Sequence, residues 1–321
     1  LMVTALIAVP IVAITNMGGL DHVTNAVANV RPDALGLFAG TTFIGIASAL
    51  AWGLGYFGQP HIIVRFMALR TPEDAKAGRR IGMSWMLLTV VGSISTAFVG
   101  VAYFATHPDV PLADKESAET VFLDLAQILF HPFIAGMILA AVLAAIMSTL
   151  SSQLVVCSSA LVEDLYGVFV KKKLSANQSL WLGRAGVAIV AVIATLMALD
   201  KNNSILSLVE FAWAGFGSAF GPIVILSLYW RKLTLPGAVS GMVVGAVVTF
   251  FWRQVFNLTE TIEVYEMIPG FFLAFLVTVV VSLSTYQKND KIEQEFEEAA
   301  NLAKLTTAGL PAKEEEQAAK A

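Results

Sequence analysis

The chain has 321 residues, of which 57% are hydrophobic and only 14% are charged, and its mean hydropathy is +0.73. A soluble domain carries roughly 25% charged residues, so this composition excludes an ordinary water-soluble globule. Much of the net charge of −4 comes from the segment after Tyr286, where five lysines accompany eight acidic residues, and the body of the chain has no basic excess for nucleic acid. The single cysteine, Cys157, excludes a disulfide framework and a thiolate metal site.

Apolar segments long enough to cross a membrane follow one another along almost the whole chain. A spanning helix needs about 20 mostly apolar residues. One truncated and seven full segments meet this requirement, at 1–15, 34–57, 82–105, 121–160, 180–199, 204–229, 235–255 and 267–285. The fourth is too long for one span, and we expect residues 123–131 at its start to be an interfacial or extracellular piece. Backbone polar groups in lipid must be hydrogen-bonded within their own segment, which favours an all-helical membrane protein.

The first segment starts inside a hydrophobic run, with neither an initiator methionine nor a charged leader. This pattern is not that of a signal peptide. It predicts the second half of a membrane helix, and hence that the chain is the C-terminal part of a longer protein.

Basic residues alternate between the two sides of these segments. One set of connections, together with the polar tail at 287–321, contains Arg65, Arg70, Lys76, Arg79, Arg80, Lys171, Lys172, Lys173, Arg231 and Lys232. The intervening connections contain Arg31, Lys115, Lys201 and Arg253. By the positive-inside rule the first set is cytoplasmic, so the C-terminus is predicted to be inside the cell. Within the tail we expect a surface helix at about 292–305.

The second apolar segment ends in a run of helix-weakening residues. Residues 51–61 read Ala-Trp-Gly-Leu-Gly-Tyr-Phe-Gly-Gln-Pro-His, and glycine and proline cost about 1 and 3 kcal/mol in a helix interior. Polar backbone freed at membrane depth is tolerated only against protein or a cavity, so the break is a candidate ligand site. On one helical face, Trp52 and Tyr56 would wall a small pocket together with Pro60. The alternative is an interfacial aromatic belt beside a hinge.

Small and hydroxyl residues cluster at 143–152, inside an otherwise apolar helix. Such residues permit close helix packing, which is one interpretation of the cluster. The other is a cation site, because hard cations prefer oxygen ligands. The hydroxyls of Ser148 and Thr149 and the carbonyl of Ala145, one turn earlier, would offer three oxygens toward one point. The lack of a carboxylate there suits a weakly held Na⁺ better than Ca²⁺ or Mg²⁺.

A third run of small residues, at 211–222, predicts a helix interface with a kink at Pro222. Glu210 precedes this run near the outer end of its segment, with Lys201 as a candidate partner. The sequence contains no Walker loop, dinucleotide-binding fingerprint, nucleophile elbow or His-Glu-x-x-His motif, so we expect a protein that is not an enzyme.

Four motifs closely resemble the solute:sodium symporter family, in particular its bacterial proline-transporting members. They are Leu-Ala-Trp-Gly-Leu-Gly-Tyr-Phe-Gly-Gln-Pro-His-Ile at 50–62, Ala-Ala-Ile-Met-Ser-Thr-Leu-Ser at 144–151, Ser-Ser-Ala-Leu-Val-Glu-Asp-Leu-Tyr at 158–166, and Ala-Trp-Ala-Gly-Phe-Gly-Ser-Ala-Phe-Gly-Pro at 212–222. The resemblance runs in order from residue 1 to about residue 286.

This resemblance implies an all-α integral membrane protein with the leucine-transporter-like inverted-repeat fold. Residues 1–15 would then be the truncated last helix of a first repeat that is otherwise missing, and residues 34–229 the second five-helix repeat. Residues 235–285 would form two peripheral transmembrane helices, followed by the cytoplasmic polar tail at 287–321.

The resemblance also implies the function and the sites. It assigns Trp52, Tyr56 and Pro60 to an L-proline site, and Ala145, Ser148 and Thr149 to Na⁺ as the coupling ion. The implied function is Na⁺-coupled symport of L-proline across the bacterial inner membrane, with about half of each site in this chain. Other small solutes of the family, such as pantothenate, sugars or carboxylates, and a transporter-like membrane sensor remain alternatives.

Overall fold

The structure, a computed structural model, describes residues 2–36, 38–110, 118–165, 175–199 and 205–308. Within these residues the regular secondary structure is entirely helical. The α-helices are α1 (Met2–Asn16), α2 (Leu20–Val30), α3 (Phe43–Ala51), α4 (Pro60–Met67), α5 (Pro72–Thr106), α6 (Val121–Leu129), α7 (Pro132–Ser159), α8 (Ala176–Ala198), α9 (Ile205–Tyr229), α10 (Leu235–Phe250), α11 (Leu258–Ile262), α12 (Met267–Thr285) and α13 (Asp290–Ala308). Short 3₁₀ segments occupy Pro32–Leu35 and Trp52–Gly58, and π turns occupy Ala160–Leu165 and Phe251–Val255.

Six of the described helices are long and apolar enough to cross a membrane. They are Asp74–Thr106, Pro132–Val162, Asn177–Ala198, Ile205–Tyr229, Leu235–Val255 and Met267–Thr285. The pair α1 and α2 passes the same test together but bends by 89°, which gives a seventh candidate. The expectation of a multi-pass helical membrane protein is therefore confirmed.

The predicted span at 34–57 is wrong as a single membrane helix. A 3₁₀ turn ends at Leu35, and the α-helix begins only at Phe43, where the Thr42 side chain caps it by accepting the Gly45 N–H at 3.0 Å. Gly40, with φ of 71°, interrupts the backbone before this cap. The apolar helix that remains, Phe43–Gly58, is shorter than a simple span.

The fourth predicted segment divides as expected. Helix α6 ends at Leu129 and α7 begins at Pro132, because proline is favoured at the first position of a helix, where its missing N–H costs no hydrogen bond. His131 caps α7 by accepting the Phe133 N–H. The expected tail helix is also present as α13. Lys115, Lys171, Lys172, Lys173 and Lys201, which enter the orientation argument, lie outside the described residues, as does the end of the tail.

The chain packs as two compact units, and the first comprises residues 1–39 and 84–204. Its core joins α1, α2, α6 and the second half of α5, and the buried residues include Val9, Val27, Val99 and Leu125. Helices α7 and α8 are linked where the Ser158 hydroxyl donates to the Gly183 carbonyl at 2.7 Å. Only 11% of the apolar stretch of α7 is buried, so most of this helix faces outward from the unit.

The second unit comprises residues 40–83 and 205–321. It contains residues 51–60, called the broken segment below, where the sequence predicts a break in the helix. Helices α9, α10 and α12 pack closely because small residues let their backbones approach one another. Gly237 and Gly241 of α10 lie directly against Ser282 and Thr278 of α12, and an added Cβ at either glycine would collide. Helix α13 folds back on this unit, where Glu297 pairs with Arg231 at 2.9 Å.

Candidate functional site

The break predicted from the glycines and the proline is confirmed. Regular α-helix ends at Ala51, a 3₁₀ segment runs from Trp52 to Gly58, and Gln59 is extended with φ of −85° and ψ of 113°. Helix α4 then starts with Pro60 in its first position. The chain thus changes its hydrogen-bonding pattern twice in nine residues, which frees backbone polar groups for other partners.

Trp52 and Tyr56 do not share a helical face in the way their spacing predicts. Four residues in an α-helix return to the same face, but a 3₁₀ helix has about three residues per turn, so these side chains point about 120° apart. They nevertheless meet around a third aromatic residue, Trp213 of α9. The Trp52 ring stacks on Trp213 at 6.0 Å between centroids, and Tyr56 meets the Trp213 ring edge-on at 5.0 Å.

Trp213 also satisfies the backbone at the break. Its indole N–H donates to the Trp52 carbonyl at 2.9 Å, and its own backbone carbonyl accepts a hydrogen bond from the side-chain amide of Gln59 at 3.2 Å. Gln59 is only 3% exposed, so this hydrogen bond replaces water for a buried polar group. The run at 211–222 predicts a helix interface and does not single out Trp213. The sequence signal that distinguishes this residue is a bulky hydrogen-bond donor among small residues.

Two of the three glycines in the break allow a direct backbone contact with α9. A Cβ on Gly55 would collide with the Trp213 ring, and one on Gly58 would collide with the Phe216 carbonyl. Gly53 differs, because an added Cβ there has nothing within 4 Å. The glycines therefore have two roles: all of them weaken the helix, and two of them also admit a neighbouring helix.

The third predicted substrate residue, Pro60, lies exposed at the start of α4. It directly follows Gln59, whose side-chain amide donates a hydrogen bond to a backbone carbonyl of α9. This bond fixes the start of α4. Tyr56 is 40% exposed, so the second unit presents Tyr56 and Pro60 outward, while Trp52 is partly covered.

A segment between the last two membrane helices covers part of Trp52. Tyr265 stacks on the Trp52 ring at 5.9 Å between centroids, with only 13° between the ring planes. Its hydroxyl donates to the Glu210 carbonyl at 2.9 Å. Burial, reinforced by the carboxylates of Glu266 and Glu210, raises the pKa of Tyr265, so the phenol stays protonated and keeps this donor.

Ala145, Ser148 and Thr149 lie on α7, with Ser148 and Thr149 three and four residues after Ala145, so the three lie on one side of the helix. Ser148 and Thr149 are exposed on the first unit, and in the described part of the chain their hydroxyls make no hydrogen bond. The next two hydroxyls differ: Ser151 donates to the Met147 carbonyl and Ser152 to the Ser148 carbonyl. The predicted cation residues thus combine two uncommitted hydroxyls with a carbonyl. They belong to the first compact unit, and the aromatic group around Trp213 belongs to the second.

Glu210 lies close to a basic residue of another helix. Its carboxylate is 3.8 Å from Arg253, and the candidate partner Lys201 lies outside the described residues. The strongest pair involves Glu266, which sequence reasoning missed: its side chain is fully buried and lies 2.7 Å from Arg253. A signal was available, since opposite charges flank the short connection between two adjacent spans.

The candidate spans define a multi-pass helical membrane protein, and one of its apolar helices is broken and packs on a small-residue helix. Residues 1–245 match the profile of the sodium:solute symporter family. The chain belongs to this family, which is a family of transporters and not of enzymes.

Several curated relatives are similar over nearly the whole chain. The osmoregulated proline transporter OpuE of Bacillus subtilis is 49% identical over 89% of this chain and 57% of its own length. The high-affinity proline transporter PutP of the same organism is 46% identical over 92% of this chain and 61% of its own length. The sodium/proline symporter of Escherichia coli is 43% identical over 93% of this chain and 59% of its own length. The chain therefore spans about three-fifths of these relatives, and no solved structure matches it.

Proposed function

We propose that the protein to which this chain belongs is a Na⁺-coupled symporter that imports L-proline by alternating access. The observation that carries the proposal is the broken segment at 51–60, where two aromatic residues surround Trp213 and the backbone lies directly on α9. The names of the similar proteins, two proline transporters and a sodium/proline symporter, support the same solute.

The proposed fold is the leucine-transporter-like inverted repeat, with residues 34–229 as its second five-helix repeat. In support, five membrane elements follow in order there: the broken helix, α5, α7, α8 and α9. Residues 1–15 would be the last helix of the first repeat, and the helices at 235–285 peripheral additions. In this class of fold, broken helices hold substrate and ions near the bilayer midplane.

The proposed substrate site uses Trp52, Tyr56 and Pro60. Proline has a compact apolar ring and a zwitterionic backbone, so its site needs apolar walls and a few directed donors. The exposed part of Tyr56 supplies both a ring and a hydroxyl, and the Trp52 ring supplies a flat apolar wall. Pro60 starts α4, whose positive dipole end favours an anion such as the proline carboxylate.

The proposed Na⁺ site uses the carbonyl of Ala145 and the hydroxyls of Ser148 and Thr149. Neutral oxygens hold a monovalent cation weakly, which suits an ion that must be released in each cycle. Na⁺ that binds better to the outward-open state would raise the affinity for proline, and by linkage proline raises the affinity for Na⁺ equally. A potential of 100 mV adds about 2.3 kcal/mol per charge, enough for a gradient of roughly 50-fold.

The protein would lie in the bacterial inner membrane with its C-terminus in the cytoplasm. The described basic residues agree with this orientation, since Arg231 and Lys232 lie at one end of α9, and Glu210 and the opposing Arg253 lie at the other.

The test is uptake of radiolabelled L-proline into proteoliposomes that contain the full-length transporter carrying this chain. We expect uptake that requires an inward Na⁺ gradient and that excess unlabelled proline abolishes. Equal uptake with K⁺ in place of Na⁺ would refute the coupling. Competition by pantothenate, sugars or acetate, but not by proline, would reassign the solute within the family.

A further inference from the structure

The ring of Trp52, the central residue of the proposed substrate site, is held by two aromatic residues from outside the broken segment. Trp213 belongs to α9, and Tyr265 belongs to the connection between α10 and α12. Both rings lie about as far from Trp52 as stacked pairs do in proteins, with interplanar angles of 20° and 13°. The position of the Trp52 ring therefore depends on where Tyr265 is fixed.

Tyr265 is fixed at its backbone as well as at its hydroxyl. Its N–H donates to the Ser48 hydroxyl at 3.1 Å, and the same hydroxyl donates to the Glu263 carbonyl at 3.2 Å. Ser48 lies in α3, one turn before Trp52, so the connection is attached to the same helix that its tyrosine covers. With the bond from the Tyr265 hydroxyl to Glu210, the residue is tied to both α3 and α9.

Glu266, the residue after Tyr265, also holds this connection in place. Both carboxylate oxygens of Glu266 are satisfied: Arg253 donates to one at 2.7 Å, and the Thr259 hydroxyl donates to the other at 2.8 Å. Burying an ion pair offers little net stabilisation, because desolvation offsets the attraction. Such a pair does fix geometry, and here it fixes the residue that follows Tyr265.

We infer that Tyr265 is a specificity-determining residue of the substrate site, and that the Arg253–Glu266 pair is a positioning device that sets the tyrosine against Trp52. The inference rests on the proposed function, because Trp52 must line the substrate site for Tyr265 to influence the solute. Tyr265 would act on the width of the site, by limiting how far the Trp52 ring can move away from a bound five-membered ring.

The experiment compares variants of the full-length transporter in proteoliposomes. We would measure the KM and the maximal rate for proline, and the inhibition by the analogues with four-membered and six-membered rings. The variants are Tyr265→Leu, which removes the ring, Tyr265→Phe, which removes only the bond to Glu210, and Glu266→Gln, which weakens the pair. The control is Tyr229→Leu, since Tyr229 is 81% exposed at the other end of α9.

We expect Tyr265→Leu to raise the KM by about two- to tenfold, the range that the loss of one aromatic contact gives, with the maximal rate nearly unchanged. Inhibition by the six-membered analogue should become stronger relative to the four-membered one. Tyr265→Phe and Glu266→Gln should change the KM and the relative inhibition by the two analogues in the same direction as Tyr265→Leu, but by less. The control should change neither the KM nor the relative inhibition.

Four outcomes would overturn the inference, and the last of them would also refute the proposed function. If the parent transports proline with Na⁺ but Tyr265→Leu keeps its KM and its ranking of analogues, Tyr265 does not set specificity while the proposed function stands. A fall in the maximal rate alone would show a merely structural role. If Tyr265→Leu does not reach the membrane, a Tyr265→Phe variant identical to the parent in both quantities refutes the inference. A parent without proline uptake instead refutes the proposed function, and the inference falls with it.

Discussion

At the scale of single residues, the glycines of the broken segment show how a sequence pattern can be correct and still incomplete. Glycine counts predict a weakened helix wherever they occur. They do not indicate which glycine lies against a neighbour, because that depends on a helix more than 150 residues further along the chain. Gly55 and Gly58 lie against α9, and Gly53 does not.

This difference predicts opposite effects of two similar substitutions. Gly55→Ala should destabilise the protein by about 1–3 kcal/mol, because its Cβ would collide with the buried side of Trp213 and force α9 away. Gly53→Ala, with open space around it, should be neutral or stabilise by about 0.4–1 kcal/mol, since alanine restricts the unfolded chain. Thermal unfolding in detergent measures both. Equal loss of stability in the two variants would contradict the close contact at Gly55.

Glu266 shows the limit of residue-level prediction from the sequence. The opposite charges of Arg253 and Glu266 flank one short connection, but the sequence does not distinguish a solvated acidic residue at a helix end from a buried one. The burial of Glu266 follows only from its three-dimensional contact with Arg253. Trp52 and Tyr56 could be predicted as candidate site residues because the glycines and the proline of their segment predict a helix break. Tyr265 has no such marker, since its contacts with Ser48 and Trp52 join residues more than 200 positions apart.

At the scale of elements, the structure agrees with the sequence wherever local chemistry decides. Proline and glycine end helices locally, so the break at 52–59 and the division at His131 were both predictable. Two features were not. Helix α2 follows a bend at Gly18 and Gly19, whose φ values of 88° and 113° turn the chain. Hydropathy could not predict this bend, because it depends on composition and not on the direction of the backbone. The late start of α3 depends on the cap at Thr42, which an apolar run conceals.

Helix α7 provides both the variants and the matched controls for a test of the proposed Na⁺ site. Ser148→Ala and Thr149→Ala should each raise the Na⁺ concentration for half-maximal proline uptake by about tenfold, because an interaction with a charged group contributes about 1.5 kcal/mol or more. Ser151→Ala and Ser152→Ala remove hydroxyls that are already bonded to backbone carbonyls of the same helix, and should leave this concentration unchanged.

The measurement is Na⁺-dependent proline uptake by the full-length transporter over a range of Na⁺ concentrations. An unchanged Na⁺ requirement in both Ser148→Ala and Thr149→Ala would exclude these hydroxyls as ligands. A general loss of activity in all four variants would instead indicate that this face of α7 is needed for packing.

At the scale of the whole molecule, the sequence predicts orientation from charge alone. Helix α12 has 19 residues, which is about 28 Å of helix and nearly the thickness of a membrane core of about 30 Å, so we expect its two ends to lie on opposite sides of the membrane. Thr261 precedes this helix, and Glu298 lies in α13 after it; both are exposed. The orientation proposed from the basic residues places Thr261 outside and Glu298 in the cytoplasm.

Labelling in intact cells tests this arrangement. In a Cys157→Ser background, a membrane-impermeant maleimide should label Thr261→Cys at once, and Glu298→Cys only after the membrane is permeabilised. The Cys157→Ser protein without an added cysteine is the control for background labelling. The reverse pattern would mean that the basic connections lie outside the cell.

The hydrogen bonds of Ser48 carry a consequence for how such transporters diversify. They attach the connection between α10 and α12 to α3, so the two helices proposed as peripheral additions are joined to the helix that leads into the proposed substrate site. We therefore expect residues 43–60 and 251–266 to be inherited as a matched set. A chimera that exchanged only the last two membrane helices with those of a relative would separate partners selected together, even though its membrane topology would be intact.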